Sequence, residues 1–600
     1  MIYASNAIQP NSISNDKLPY KTSKMKERWV SDGMKNIIKA WKNYPPYPIT
    51  TANLPSPILI TAPTGTGKTY FILHDLVKLA ESGRWSVLMI VNRKALRNQF
   101  FNDACATEYG YTIPPDLVGL NTSVKNLFIV TYQQFAGNFY MVMQKLNLPP
   151  NIRYVVMDEA HFFTSDALFN SETAQIFKNI LAFSRSMQRI YMTATPKIVK
   201  DVIAYQENQQ LHELERQKLA EYVFQDRMSA GYPQHQAVTL PITVQDQHDT
   251  MLEHSVELEK YKKLFPEAIY EYIFPPRSYN MNLKFFSDWD TIVNEINVPD
   301  DDYQWLIFVS DSEDGQKLYG DLKGISVFLK ADKKSEDSEE IERLEQTSTF
   351  KKKVLIATSV LDNGINVKND NCHNIVIDSS DSVQFLQMLG RKRVTDNETI
   401  NLYVKNHTES DFDAYVNSID KKLDAIGYYI NNPYYFMKNM YDNCDLETRK
   451  MFAYNTNDLR SLNDYVIYCL TRKRDEYSNI KLKFATDPHA FAKAVCEWLN
   501  VEFSEDMMAS DDPFTKAWAE IEGIIHSNSD SFDQKKLFEI RDDIWKILKP
   551  IRCTGMTGTK DDNRAKNTLN TNLAVLAKMG FPAYHVEKND TKFSFCEGLE

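Results

Sequence analysis

The string A-P-T-G-T-G-K-T, Ala62 to Thr69, places two glycines, a lysine and a hydroxyl between the apolar run P-I-L-I-T-A and the amphipathic Y-F-I-L-H-D-L-V-K-L-A. A strand before and a helix after are the setting a phosphate-binding loop requires. Gly65 and Gly67 let the backbone wrap so that N–H groups point at the phosphates within the loop formed by Ala62, Pro63, Thr64, Gly65, Thr66, Gly67, Lys68 and Thr69. The helix N-terminus adds roughly half a positive charge at the same point. Lys68 suits the β- and γ-phosphates of ATP, and the Thr69 hydroxyl suits Mg²⁺. Farther along, D-E-A-H (158–161) follows the run Y-V-V-M. There Asp158 can reach the same Mg²⁺ through its water shell, and Glu159 can orient or deprotonate an attacking water. Taken alone, the pair also reads as an acidic helix start. His161 would connect the nucleotide site to T-A-T-P (193–196), although a lone histidine is often only packed.

The last string with chemistry is Q-M-L-G-R-K-R, in which Gln387, Arg391 and Arg393 lie some two hundred residues farther on. The ordered set points to nucleotide hydrolysis coupled to movement along a nucleic acid.

These residues need sheets to position them. Val- and Ile-rich runs of five to seven residues alternate with helix-length segments in two blocks: 57–62, 86–91, 127–131, 154–158 and 189–195, then 305–310, 325–329, 353–358, 374–378 and 400–404. Such runs read as buried parallel strands, and ligands of such sheets sit at the carboxyl ends of the strands. The expected fold class is α/β, with two tandem doubly wound parallel-sheet domains and a mainly helical C-terminal region. The expected divisions are an N-terminal arm and lead-in helix (1–50), an ATP-binding domain (51–200), a linker or helical insertion (201–265), a second α/β domain (266–410) and a helical accessory region (411–600).

Composition narrows the classes. With 43% hydrophobic and 25% charged residues the chain is ordinary for a globular protein, and 600 residues exceed one core. No apolar run approaches the ~20 residues that span a bilayer, and the first 25 residues lack the basic start and apolar middle of a secretory signal. The seven cysteines, at 105, 372, 444, 469, 496, 553 and 596, form no C-x-x-C, which argues against a zinc ribbon or an iron–sulfur cluster. Reduced thiols and a cytoplasmic location follow as expectations. A net charge of −11 argues against simple coating of nucleic acid but not against a narrow basic channel. Seven of the acidic residues fall in Asp332 to Glu345, which reads as a solvated helix face. Two basic stretches, T-R-K-R (471–474) and 548–566, could feed nucleic acid or be solvated loops.

The motifs resemble those of superfamily 2 helicases of the DEAH type. Beyond the strings above, V-N-R-K-A-L-R-N-Q (91–99) is similar to motif Ia and I-V-T-Y-Q-Q-F (129–135) to a strand-contacting motif. W-L-I-F-V-S (305–310), I-A-T-S-V-L-D-N-G-I-N-V (356–367) and Q-F-L-Q-M-L-G-R-K-R (384–393) resemble motifs IV, V and VI. The resemblance covers roughly residues 57 to 404. It implies two RecA-like lobes that clamp ATP, with Arg391 or Arg393 as an arginine finger, worth about 10³–10⁵ in rate in related NTPases. It implies that Asp362 and Gly364 link the nucleotide to the strand-binding face, and that Arg93, Thr131, Thr358 and Asn366 hold phosphates of one strand. Motif VI usually ends G-R-x-x-R, whereas residue 394 is Val, so either arginine can be the finger. No glutamine lies between Gln9 and the loop, and the third motif is T-A-T-P; both are closer to DNA-directed translocases than to RNA-remodelling enzymes. The implied activity is an ATP-dependent helicase or translocase with ATP and Mg²⁺, gripping nucleic acid by its backbone, DNA rather than RNA, with no membrane. An RNA helicase and an ATP-gated scaffold remain as alternatives.

Overall fold

The computed structural model describes residues 17–41, 54–110, 122–276, 279–298, 303–329, 338–358, 366–394, 398–454, 460–508, 513–551, 556–558, 564–578, 581–589 and 591–598. Asp362, Gly364 and Cys553 lie outside them. The chain divides into two units: residues 1–278, 363–365 and 425–471, and the remainder from 279 to 600.

The first unit is built on eight strands: β1 (Tyr20–Lys24), β2 (Ile58–Thr61), β3 (Ser86–Val91), β4 (Thr122–Val124), β5 (Leu127–Thr131), β6 (Ile152–Met157), β7 (Gln188–Thr193) and β8 (Ile269–Ile273). Their order is β1-β8-β2-β7-β6-β3-β5-β4, parallel throughout except for the antiparallel β4 at one edge. Alternate side chains of each strand feed two separate cores, as a two-faced sheet demands. In β3, Leu88 and Ile90 join one core while Val87, Met89 and Val91 join the other. The second of these cores is covered by helices that bring Val30 and Met34, Phe71 and Leu76, and Phe100 and Ala104. The first is covered by residues 139–146, 162–183 and the start of the helix Lys200–Ser229.

The sequence-based divisions need correction here. β8 lies beyond the expected 265/266 boundary but pairs with β2, in register from Ile58↔Tyr270 to Thr61↔Ile273. Strand β1 also joins this sheet, so residues 20–24 are more than a loose arm. Residues 425–471, expected in a C-terminal region apart from the ATP-binding domain, belong to this unit. Tyr465 and Tyr468 enter its core, Asn463 Nδ2 donates to Asn170 O (2.9 Å) and Thr173 Oγ1 (2.7 Å), and Tyr468 OH donates to Asp201 Oδ2 (2.9 Å). Contacts between positions nearly three hundred residues apart leave no trace in local periodicity.

The second unit holds six parallel strands, β9 (Asn280–Phe286), β10 (Trp305–Phe308), β11 (Ser326–Leu329), β12 (Val354–Ala357), β13 (Asn374–Ile377) and β14 (Thr399–Lys405), in the order β11-β12-β10-β13-β14-β9. Both sheets have the expected α/β class. The C-terminal part is mostly helical, with a core of Ile521, Ile540, Ile544, Leu569 and Leu573 closed by the antiparallel hairpin β17 (Tyr584–Asn589) and β18 (Lys592–Glu597). A small antiparallel pair, β15 (Phe452–Tyr454) and β16 (Arg460–Leu462), precedes it in the first unit.

Candidate nucleotide and nucleic-acid site

The Ala62–Thr69 loop leaves β2 at its carboxyl end. Gly65 (φ +78°) and Gly67 (φ +79°) both take the left-handed conformation, where a Cβ would be strained. Lys68 Nζ donates to Ala62 O (2.9 Å), and Thr66 Oγ1 donates to Pro63 O (2.7 Å). The loop is pinned at both ends: Ala62 N donates to Thr193 O (3.0 Å) and Val30 N to Thr66 O (3.0 Å). The helix that follows runs Lys68–Tyr70, then the wide π turn Phe71–Leu76, then Val77–Ser82. Thr64, Lys68 and Thr69 are half-buried at its mouth.

D-E-A-H sits at the carboxyl end of β6. Asp158 is 6% exposed, its N–H held by Ile90 O (3.0 Å) and its carbonyl by the Tyr132 hydroxyl (2.9 Å). Glu159 has φ +49°, a left-handed conformation without a glycine. Such a residue costs about 1–3 kcal/mol and persists where the surroundings over-determine it. Here they do: Ala160 N donates to Met192 O (2.9 Å) and Phe162 N to Glu159 O (2.9 Å). The turn therefore aims the Glu159 side chain independently of the strand direction.

His161 is 4% exposed, and its Nδ1 lies 3.2 Å from Thr193 Oγ1 and 3.4 Å from Glu159 Oε2. Thr193 Oγ1 also accepts from Thr195 N (3.0 Å). The acidic string and T-A-T-P are thus one bonded network, and His161 is the connecting residue rather than a packed bystander. The donor set offered by Thr69 and Asp158, a hydroxyl and a carboxylate oxygen, is the hard oxygen type that fits Mg²⁺. When bound, Mg²⁺ would neutralise charge on the phosphates.

Tyr132 was not singled out by the sequence, although it lies in I-V-T-Y-Q-Q-F. It is fully buried, stacked on Phe162 with ring centroids 4.4 Å apart, and couples the end of β5 to Asp158. Its neighbour Thr131, expected at a strand phosphate, is 4% exposed and forms a capping box with Gln134 over the turn Tyr132–Phe135. Arg93 pairs with Asp166 (3.2 Å). Burial pushes the Asp166 carboxyl up to about 6 against the pull of Arg93. Spacing could not reveal Asp166, which lies seventy-three residues from its partner.

In the second unit, Gln387 closes the helix Ser382–Leu389 and is 9% exposed. Arg391 is 6% exposed and Arg393 is half-buried. Their backbones clasp Val367: Val367 N donates to Arg391 O (2.8 Å) and Arg393 N to Val367 O (2.9 Å). This ties the end of the 356–367 string, with buried Asn366, to the arginine cluster. Thr358 is half-buried at the end of β12. The T-R-K-R stretch is engaged within the protein, Lys473 with Asp381 (3.2 Å) and Arg474 with Asp420 (2.5 Å). The other basic stretch runs into the helix Ala565–Lys578, which buries Leu569, Leu573 and Leu576 in a core.

Residues 27–198 match the family described as type III restriction enzyme, res subunit. No curated protein matches the chain. Among solved structures, the chain is similar to Dbp5 L327V of S. cerevisiae bound to RNA and ADP BeF3, at 15% identity over 64% of this chain and 85% of that one, TM-score 0.39. It is also similar to the helicase Lhr of Mycobacterium smegmatis bound to ssDNA and AMP-PNP, at 15% identity over 61% and 46%, TM-score 0.36. A DEAD box protein of the hyperthermophile Methanococcus jannaschii matches at 14% identity over 58% and 82%, TM-score 0.28. Likeness at this level carries no argument about substrate.

Proposed function

We propose that the chain is an ATP-hydrolysing enzyme of the superfamily 2 helicase type, a reading supported by the match of residues 27–198, and that its ATP turnover drives movement along, or unwinding of, DNA. The observation that carries this reading is the His161 bridge between Glu159 and Thr193. In a simple phosphatase the residue that activates water needs no rigid link to a neighbouring strand end. Here His161 lies within 3.4 Å of Glu159 and bonds Thr193, a route by which a change in charge at the γ-phosphate would reach T-A-T-P.

The roles follow from chemistry. Lys68 exchanges its bonds to Ala62 and Pro63 carbonyls for phosphate oxygens. Thr69 and Asp158 hold Mg²⁺, and Glu159 orients the water or takes its proton. One of Arg391 and Arg393 serves as the finger, and Asp362, Gly364 and Gln387 transmit the nucleotide state. Arg93, Thr131, Thr358 and Asn366 would hold the phosphates of a strand, the buried Thr131 and Asn366 after a local opening. The D-E-A-H string supports the DEAH subtype. DNA is favoured over RNA by T-A-T-P and by the missing upstream glutamine. Among the described residues no helix is long and apolar enough to cross a membrane, and a cytoplasmic location remains part of the proposal.

Strand displacement tests it. Duplex DNA with a single-stranded overhang on either side should be separated in the presence of ATP but not of a non-hydrolysable analogue. Nucleotide-dependent binding of the overhang without displacement on either polarity would favour the scaffold reading instead.

A further inference from the structure

The C-terminal hairpin gathers three side chains of metal-binding type on one face. His585 of β17 stands directly across from Cys596 of β18, and Glu587, two residues on, shares their face. The opposite face carries Tyr584, Val586, Phe593 and Phe595, which pack into the helical core. One ligand atom from each of His585, Glu587 and Cys596 lies within 4.8 Å of the others. Bond lengths of about 2.0–2.3 Å to zinc put tetrahedral donors about 3.3–3.8 Å apart, so only small side-chain movements are needed.

The imidazole is already set for coordination. His585 Nδ1 is 2.7 Å from Gly598 O. A carbonyl can only accept, so Nδ1 carries the proton, and in the neutral ring Nε2 presents its lone pair. That nitrogen lies 3.2 Å from Glu587 Oε1, an ion pair when the ring is protonated, and the Cys596 side chain also hydrogen-bonds the Glu587 carboxylate, so the three groups already share one position. A cation must lie between them, either a proton or a metal. An Nδ1–H bonded to a backbone carbonyl is the outer contact that orients zinc-binding histidines. Nitrogen, oxygen and sulfur together make a borderline set that suits Zn²⁺.

We propose that His585, Glu587 and Cys596 bind a zinc-type divalent cation, with a fourth position open to water. Binding displaces to solvent both the Cys596 thiol proton and the proton held between His585 Nε2 and Glu587, leaving thiolate and carboxylate to balance the two positive charges. The ion clips the last strand to its partner and closes the C-terminal helical core. The site escapes a search for C-x-x-C spacing because the hairpin, not the local sequence, brings its donors together. It stands apart from the ATPase reading and survives or fails independently of it.

Cobalt substitution in the full chain tests the site. After chelation and removal of the chelator, one equivalent of Co²⁺ should give visible bands of four-coordinate intensity and a thiolate-to-cobalt charge-transfer band, both displaced by Zn²⁺. Cys596→Ser should abolish the charge-transfer band. The half-exposed Glu587→Gln should keep the fold, judged by circular dichroism, and weaken cobalt binding by at least about 10–100-fold, the loss seen even for outer-shell partners. Absence of the thiolate band, its persistence in Cys596→Ser, or unchanged affinity in Glu587→Gln would each overturn the proposal. Cobalt held only by the sulfur-free cluster Asp226, Glu253 and His254 would give no such band and would count against it.

Discussion

His161 Nδ1 and Thr193 Oγ1 lie 3.2 Å apart, joining the turn that carries Glu159 to the end of the neighbouring strand. The bond is buried, so neither partner can exchange it for water without cost. His161→Ala should keep ATP affinity but lower turnover by about 10–100-fold, because a small misplacement of the activating carboxylate suffices. Stimulation by nucleic acid should be lost as well. Steady-state ATPase assays with and without polymer read both. A variant with normal basal and stimulated rates would remove the bridge from the mechanism.

Lys68 and Glu159 should separate binding from chemistry. Lys68→Ala should abolish binding of a fluorescent ATP analogue, since the phosphate charge loses its partner. Glu159→Gln should bind normally while turnover falls by about 10²–10⁴, the usual worth of a general base. Near-normal turnover in either variant would refute its role.

Arg391 and Arg393 should not be equivalent. Arg391 is the more buried, so Arg391→Ala should lower the melting temperature. Arg393→Ala should preserve stability and ATP affinity but lose turnover by roughly 10³ or more, as expected of a finger. Equal and mild effects would place the finger elsewhere.

The ten apolar runs quoted from the sequence all became strands, because a strand buried on both faces has an unmistakable composition. The phosphate loop and the acidic string were legible for a related reason: their chemistry is local. What escaped was long-range or edge-placed. β1 (Y-K-T-S-K) is mostly exposed at a sheet edge and carries no apolar signature. β8 (I-Y-E-Y-I) buries Glu271, which pairs with Lys200 (2.7 Å) and accepts from Thr61 Oγ1 (3.1 Å), so its charge disguised a central strand. The capping box of Thr131 depends on the turn Tyr132–Phe135, which motif position alone does not reveal.

The buried pair Arg189 and Glu207 fastens the long helix Lys200–Ser229 beneath β7. Glu207 carboxylate oxygens accept from Arg189 Nε (2.7 Å) and Nη2 (2.8 Å), and one also accepts from Tyr191 OH (2.6 Å). Glu207→Ala strands a buried guanidinium and should destabilise the first unit by about 3–5 kcal/mol. Urea unfolding measures it; a loss below about 1 kcal/mol would mean the pair is not load-sharing in solution.

Asp378 sets an acid limit on the second unit. Burial pushes its carboxyl up, but His407, Lys405 and Ser310 outweigh that and hold it down to about 2. The unfolded value is about 3.9, so the unfolded chain binds the proton first. The resulting stability, ~2 kcal/mol, is present above about pH 4 and is lost as pH falls toward 2. Asp378→Asn should be less stable at neutral pH and should lack this part of the acid decline. Parallel wild-type and variant pH profiles would contradict the assignment.

Backbone-directed contacts should make binding tolerant of sequence and steeply weaker with salt. The central claim, however, is that hydrolysis is coupled to a polymer, and the ATPase rate reports that directly. It is best measured side by side with single-stranded DNA, duplex DNA, RNA and no polymer. The account predicts a low basal rate, strong stimulation by DNA and little by RNA. Stimulation by RNA alone would contradict the DNA assignment, and the same rate under all four conditions would contradict the coupling itself.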